Sequence, residues 1–495
     1  LLAEYQREYT DFNRSLNREA YLHYSGQKEE YELERIYDRY SDLFTRDAIE
    51  RLRKEHDRIP VDFDTDRRAI AHLLTFAQEN YLEAQVKNLT VEIAEREASA
   101  KFDWDGQPVE FLRSAVLLRN EPDADRRRRL YDKRSKIITD GNDLRQERLA
   151  KIYDSARVLG YDGYLQMCQQ LYGVDYPVLN QQWEKFLAAT EEVYTIRLRE
   201  QVLRELRIPL DRAHRADVGY LTRLTGYDQY FPKNLLMIMY RRTLAGLGID
   251  IDLQKNIQID SDERPLKNPR AFCAPVEIPS EVMLVILPTG GQGDYQAFLH
   301  EAGHSQHFGF TSAGLRSEFH YNGDRALSEM YAFLFQYLIT DPEWLRSMLG
   351  MREPEEFVRV LLLDKLMMLR RYAGKLEYEL RLHTNPDQAS NAVAYAGILT
   401  RATAFRYESE EFLADVDDGF YVADYLRAWA FEAMLREYLR TKYGRAWWRN
   451  RRAGELLKEM WNTGNRYRAD ELVDQVGAGK MSLEPMIDEF EAGLK

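Results

Sequence analysis

Two histidines four residues apart, with a glutamate beside the first, are the residues in this chain best suited to do chemistry: His300-Glu301-Ala302-Gly303-His304. On a helix, positions four apart lie about 40° apart around the axis and one turn along it, so both imidazoles can reach one small cation. Glu301 stands next to the first histidine and can approach a water on that cation without itself binding the metal. Zinc in such a site lowers the pKa of its water to about 7, and the carboxylate takes the proton as the water attacks a carbonyl. The spacing points to zinc-dependent hydrolysis, with His300 and His304 as ligands and Glu301 as general base. With only nine histidines in 495 residues, an accidental match is expected in roughly one chain in a hundred.

A catalytic zinc needs a third protein ligand and an open position. A metzincin would place a glycine at 307 and a histidine at 310; this chain has His307 and Phe310, which excludes that class. The alternative is a glutamate from a second helix. Glu329 lies 25 residues after His304, inside a run from Asp324 to Phe335 that is apolar almost all round. A carboxylate in such a run is costly unless it is paired or metal-bound, so Glu329 is the expected third ligand. Glu318 is the weaker candidate. His307 shares the helical face of His300 and His304 and reads either as a donor behind a ligand or as a buried histidine bonded to backbone.

The elements that must position these residues follow from local pattern. Pro288–Asp294 reads as a loop ending in an N-cap at Asp294, with a helix from Tyr295 to about Phe308. Residues 271–276 and 281–287 are short apolar or β-branched runs joined across Ile278-Pro279-Ser280, which predicts a hairpin just before the motif helix. An edge strand beside a metal can hold an extended peptide through its backbone, and that role is assigned to Val282, Leu284 and Ile286. Residues 1–205 read as successive amphipathic helices, with Tyr5, Phe12 and Leu16 opening one stripe and Ile36, Tyr40 and Phe44 the next. The pattern breaks near Ile208-Pro209-Leu210, placing a soft boundary between an N-terminal helical lobe, 1–205, and a catalytic lobe, 206–495.

Composition narrows the class. Low Gly (27) and Pro (15) suit long helices with few tight turns. A net charge of −13 opposes non-specific nucleic-acid binding, and the basic run Arg126–Arg129 sits among aspartates, as a solvated helix face would. The longest apolar run, Val282–Leu287, is too short to span a bilayer. Leu1–Tyr5 has neither a basic start nor a hydrophobic signal core. Two cysteines, Cys168 and Cys273, make no disulfide framework, which points to a reducing, cytoplasmic setting.

The chain resembles the M3 family of zinc metallopeptidases, the thimet oligopeptidase and oligoendopeptidase F group, over about residues 255–440. Ile259–Lys267 is similar to the family's Asp, Arg, Lys stretch, and Arg270-Ala271-Phe272-Cys273 to the segment after it. The His300–His304 helix with His307 and the spacing to Glu329 are the specific part of the match. Tyr421-Val422-Ala423-Asp424-Tyr425-Leu426 is similar to the tyrosine-bearing loop that closes over the zinc.

The resemblance implies a mostly α fold: a two-lobed helical body with a deep central channel, one Zn2+ per chain at its floor, and a small β-hairpin or sheet beside the zinc helix. It implies cleavage of short unstructured peptides, with Tyr425, and Tyr421 near it, hydrogen-bonding the oxyanion. One departure stands out. Leu413 occupies the place of a histidine the family commonly carries, and no histidine follows His383, which leaves a second oxyanion donor unassigned. Dipeptidyl carboxypeptidases of the angiotensin-converting type share the helix and tyrosine pattern; carboxypeptidases of the M32 family share the fold but carry His-Glu-Ser-Gln and His-Pro-Phe motifs absent here. A helical zinc-binding protein without activity is the alternative from another class, opposed by the retention of Glu301.

Overall fold

The aromatic stripes of the N-terminal segment do what their spacing requires. In a computed structural model, which describes residues 2–495, Phe12 turns inward from the first helix, Leu2–Tyr24, and meets Tyr37, Tyr40, Phe44 and Phe76 edge-on at ring separations of 5.3–5.8 Å. Such aromatic pairs add roughly 0.5–1.5 kcal/mol each beyond the area they bury. The chain is mostly α. Among the described residues, strands are confined to a two-stranded and a three-stranded sheet.

The chain packs as two compact units, each assembled from separate stretches. The first takes the stretch ending at Asn80 together with Thr225–Val358 and Arg427–Met486; the second takes Tyr81–Leu224, Arg359–Leu426 and Ile487–Lys495. The expected lobes 1–205 and 206–495 are thus each divided between the units. The physical reason lies in the first helix, which packs on strand Phe272–Glu277. Its Tyr21 joins Phe272 against a core of Ala274, Val276, Met283 and Val285, so the start of the chain belongs with the sheet that precedes the motif helix.

That sheet carries the expected hairpin plus one strand more. Phe272–Glu277 pairs antiparallel with Glu281–Val285, and Ile257–Asp260 pairs parallel on the other side, so Glu281–Val285 is central. The Asp, Arg, Lys stretch ties the sheet to the first helix. Lys267 Nζ donates to both a carboxylate oxygen and the main-chain carbonyl of Asp260 at 2.9 Å, while Arg264 binds the same carboxylate and donates to the Ser25 carbonyl at 2.7 Å. Gly26, at φ +74°, lets the chain pass so close that a Cβ there would lie 2.5 Å from the Lys267 nitrogen.

In the second unit the basic run departs from the expected solvated face. Arg127 is fully buried and donates to Asp217 at 2.7 Å, Arg126 pairs with Asp105 and Glu121, and Arg128 pairs with Glu408. A buried guanidinium demands such a partner, and Asp217 lies too far along the chain for local pattern to reveal it. Neither cysteine takes part in a disulfide. Among the described residues, no helix is long and apolar enough to cross a membrane.

Candidate metal centre

The motif helix runs Gln292–Phe310, and its start differs from the expected one. Gly291, at φ 93°, is the N-cap, and the Gln292 N–H is received by Asp228 Oδ1 at 3.1 Å, from a separate segment. Asp294 lies within the first turn. Its carboxylate folds back to accept the N–H groups of Thr289 (2.5 Å) and Gly290 (2.7 Å) and the Thr289 hydroxyl (2.9 Å). Left-handed Gly290 and Gly291 bend the loop so that those N–H groups converge on it.

The helix Arg325–Gln336 lies against the motif helix, capped by Asp324, whose side chain accepts the Ala326 N–H. Gly303 is what permits the close approach: a Cβ on it would lie 2.5 Å from the Tyr331 carbonyl oxygen and 2.6 Å from Ala332 Cα. One turn before Ala332, Glu329 reaches the two histidines. Its Oε2 is 3.3 Å from His300 Nε2 and 3.9 Å from His304 Nε2, and one donor atom from each of the three residues lies within 4.8 Å of the others. Bonds of 2.0–2.2 Å in a tetrahedral site put neighbouring donors about 3.3–3.5 Å apart, so two imidazoles and one carboxylate here fit zinc with small adjustments. The donor set is also right in kind, three protein ligands leaving a fourth position.

Hydrogen bonds set the imidazoles for this task. His300 Nδ1 meets Gln336 Oε1 at 2.8 Å, and His304 Nδ1 meets Ser328 Oγ at 2.7 Å. With the proton on Nδ1 in each ring, the Nε2 lone pair faces the metal position, the usual device for fixing a ligand's tautomer. Ser328 Oγ also lies 3.4 Å from His307 Nδ1, and His307 Nε2 lies 3.4 Å from the Gly464 carbonyl. One proton direction satisfies the whole chain: His304 to Ser328, Ser328 to His307, His307 to Gly464. Burial pushes His304 down to about 4 and His307 to about 3, so both rings are neutral, as metal binding requires. For His300 burial opposes the charged ring, but bonded Glu329, with Glu301, outweighs it and raises the ring above its ordinary value.

Glu301 stands apart from the three donors. Its Oε2 accepts the Cys273 N–H at 2.9 Å, from the start of strand Phe272–Glu277. Burial pushes its carboxyl up to about 7; His300 and the Cys273 N–H oppose this and Glu329 adds to it. A carboxylate with raised proton affinity, held at one oxygen, is suited to take and return a proton near neutral pH.

The other expected residues fall elsewhere. Val282, Leu284 and Ile286 are buried, and the edge role assigned to them is corrected: they belong to the central strand or its continuation. The Val282 and Ile286 N–H groups are spent on the Asn256 and Asp260 carbonyls at 2.9 Å, and the strand at the sheet's edge beside Glu301 is Phe272–Glu277. Glu318 is buried and held by Gln6 at 2.7 Å and Arg316 at 2.9 Å. Tyr421 and Tyr425 lie in the second unit, in the first turns of helix Tyr421–Tyr443, with rings 4.8 Å apart. Sequence reading missed Ser328, Gln336, Asp228 and the Cys273 N–H. Ser328 and Gln336 did leave a signal: with Glu329 they are the polar residues of an otherwise apolar helix after Arg325.

The chain matches no protein-family model, and a comparison with curated proteins finds no match.

Proposed function

We propose that the protein is a zinc-dependent peptidase that hydrolyses short, unstructured oligopeptides. The observation that carries this reading is the convergence of His300 Nε2, His304 Nε2 and Glu329 Oε2, with the Glu301 carboxylate beside them but not among them. A site that only had to hold a metal would have no use for that fourth side chain, a half-buried acid.

His300, His304 and Glu329 would hold Zn2+, which when bound supplies Lewis acidity that ionises water near neutral pH and polarises a carbonyl. Gln336 and Ser328 hold the two rings with Nε2 directed inward. The Cys273 N–H fixes one oxygen of Glu301, leaving the other to take the proton of the attacking water and later to deliver it to the departing amine. The oxyanion role implied for Tyr425, with Tyr421 near it, belongs to the proposal, as do the enclosing channel and the restriction to short peptides. Any pairing of substrate backbone with the sheet falls to Phe272–Glu277, where Pro275 has no N–H to offer.

The test is hydrolysis of a mixed library of short quenched peptides, with products identified by mass, before and after treatment with a chelator and after zinc is restored. Chelator-sensitive cleavage restored by zinc is expected. A protein that binds one zinc per chain and cleaves none of the peptides would refute the peptidase reading and leave a metal-binding protein.

A further inference from the structure

The metal ligand His300 is not backed by a carboxylate. Its Nδ1 meets Gln336 Oε1 at 2.8 Å; Gln336 Nε2 donates to Gln296 Oε1 at 3.4 Å; and Gln296 Nε2 donates to Gln292 Oε1. Gln292 is buried, and its own N–H is bound by Asp228. Three amides thus run in file from the ring back to the first turn of the motif helix. The direction of the file follows from one requirement. If His300 is to present the Nε2 lone pair to a cation, Nδ1 must carry the proton, so Gln336 must offer its oxygen. Its NH2 then has to find an acceptor, which Gln296 supplies, and Gln292 does the same for Gln296. Gln336 and Gln296 thus have both donor and acceptor ends committed in the sense a metal ligand needs, and the Gln292 oxygen receives the end of the file.

An amide and a carboxylate both fix the ring, but they do different things to it. A carboxylate on Nδ1 adds negative charge and raises the basicity of the ligating nitrogen; a neutral amide orients the ring without doing so. His304 is backed in the same neutral way, by the Ser328 hydroxyl. The cation would therefore draw its only protein charge from Glu329, keeping the centre more electrophilic than one backed by carboxylates.

Resting on the zinc reading above, we propose that Gln336, supported by Gln296 and Gln292, is the positioning residue for His300, and that the file of amides is a device for holding a ligand by neutral groups alone. Gln336 touches neither the reacting atoms nor the cation; it acts through the ring.

The experiment compares Gln336→Met, Gln336→Glu and Gln296→Met with the wild-type chain. Zinc affinity is read by competition with a chromophoric chelator, and the centre by the visible absorption of the Co2+-substituted protein. Gln336→Met keeps length and shape but cannot accept from Nδ1, and is expected to weaken zinc binding about 10–100-fold with an altered Co2+ spectrum. Gln336→Glu accepts again, with Gln296 and then Gln292 turning their amides so that each donates toward residue 336, and is expected to bind zinc at least as tightly as wild type. Gln296→Met should show a smaller loss in the same direction. Wild-type affinity and spectrum in Gln336→Met would overturn the proposal, as would a Gln336→Glu variant as weak as Gln336→Met. If Gln336→Met does not fold, a Gln296→Met protein with unchanged affinity and spectrum overturns it equally. These readouts need no turnover: a wild-type protein that binds zinc but cleaves no peptide loses the peptidase reading and keeps this one, whereas one that binds no zinc loses both.

Discussion

Adding one methyl group at Gly303 tests the geometry of the centre without touching any of its donors. In Gly303→Ala the new Cβ would sit 2.5 Å from the Tyr331 carbonyl oxygen, 2.6 Å from Ala332 Cα and 2.9 Å from Ala332 N. Ordinary contact begins near 3.4 Å, so the gap must open by about 3.4 − 2.5 = 0.9 Å. All three obstacles are backbone atoms, so no side chain can swing aside and the helix Arg325–Gln336 must move locally as a body. Glu329 rides on that helix three residues before Ala332. A shift of this size is several times the deviation of about 0.2 Å that metal–ligand distances tolerate, and rotation of the Glu329 side chain recovers only part of it. Zinc affinity is expected to fall about 10–100-fold, or roughly 1.4–2.7 kcal/mol. Stability of the metal-free protein should fall by about 0–2 kcal/mol. Overpacking costs about 1–3 kcal/mol, while alanine gains back about 1 kcal/mol over glycine inside a helix. The assay pairs chelator competition with thermal unfolding of the metal-free protein. Wild-type zinc affinity in Gly303→Ala would refute the claim that this close approach sets the ligand geometry. Removing the Ala332 methyl as well should not rescue binding, because the clash is with backbone.

Four further outcomes are expected. Glu301→Gln should retain one zinc per chain while kcat falls at least 100-fold; near-normal turnover would remove the base role. Glu329→Ala should lower zinc occupancy in metal analysis, and full occupancy would assign the third ligand elsewhere. Tyr425→Phe should cut kcat about 100-fold or more with little change in KM; an unaltered kcat would detach the oxyanion role from this residue. The fourth concerns pH. Burial alone would raise the Asp324 carboxyl, but Arg427, bonded through both oxygens at 2.6 and 2.7 Å, with Arg468 and the Ala469 N–H, holds it far below the usual range. Because the folded value lies below the unfolded one of about 3.9, the stabilisation is full above about pH 4 and fades as the pH falls further. Asp324→Asn should cost about 3–5 kcal/mol in urea unfolding at pH 7, with the gap to wild type narrowing at pH 3; an equal gap at both would refute the assignment.

The candidate site was legible in the sequence because it is local. Two histidines and a glutamate within five residues depend only on helical spacing, and Glu329 betrayed itself as an acid in a run with no other reason to hold one. The hairpin before the motif helix and the helices themselves were readable for the same reason, since period and punctuation are properties of neighbours. What the tertiary structure decided are matters of partnership across distance. Val282 and Leu284 read as well for an edge strand as for a central one until Ile257–Asp260 pairs on their open side. Asp294 has the composition of an N-cap, yet the helix start is received by Asp228, 64 residues earlier. Two of the divisions of the chain left no mark because they fall inside helices, at Asn80 within Asp64–Ser99 and at Val358 within Glu355–Leu382, where periodicity runs on unbroken. Which nitrogen of each imidazole would face a cation was likewise beyond local pattern: it depends on Gln336 and Ser328 arriving from a second helix, and that arrival depends on Gly303 having no side chain to keep the helix away.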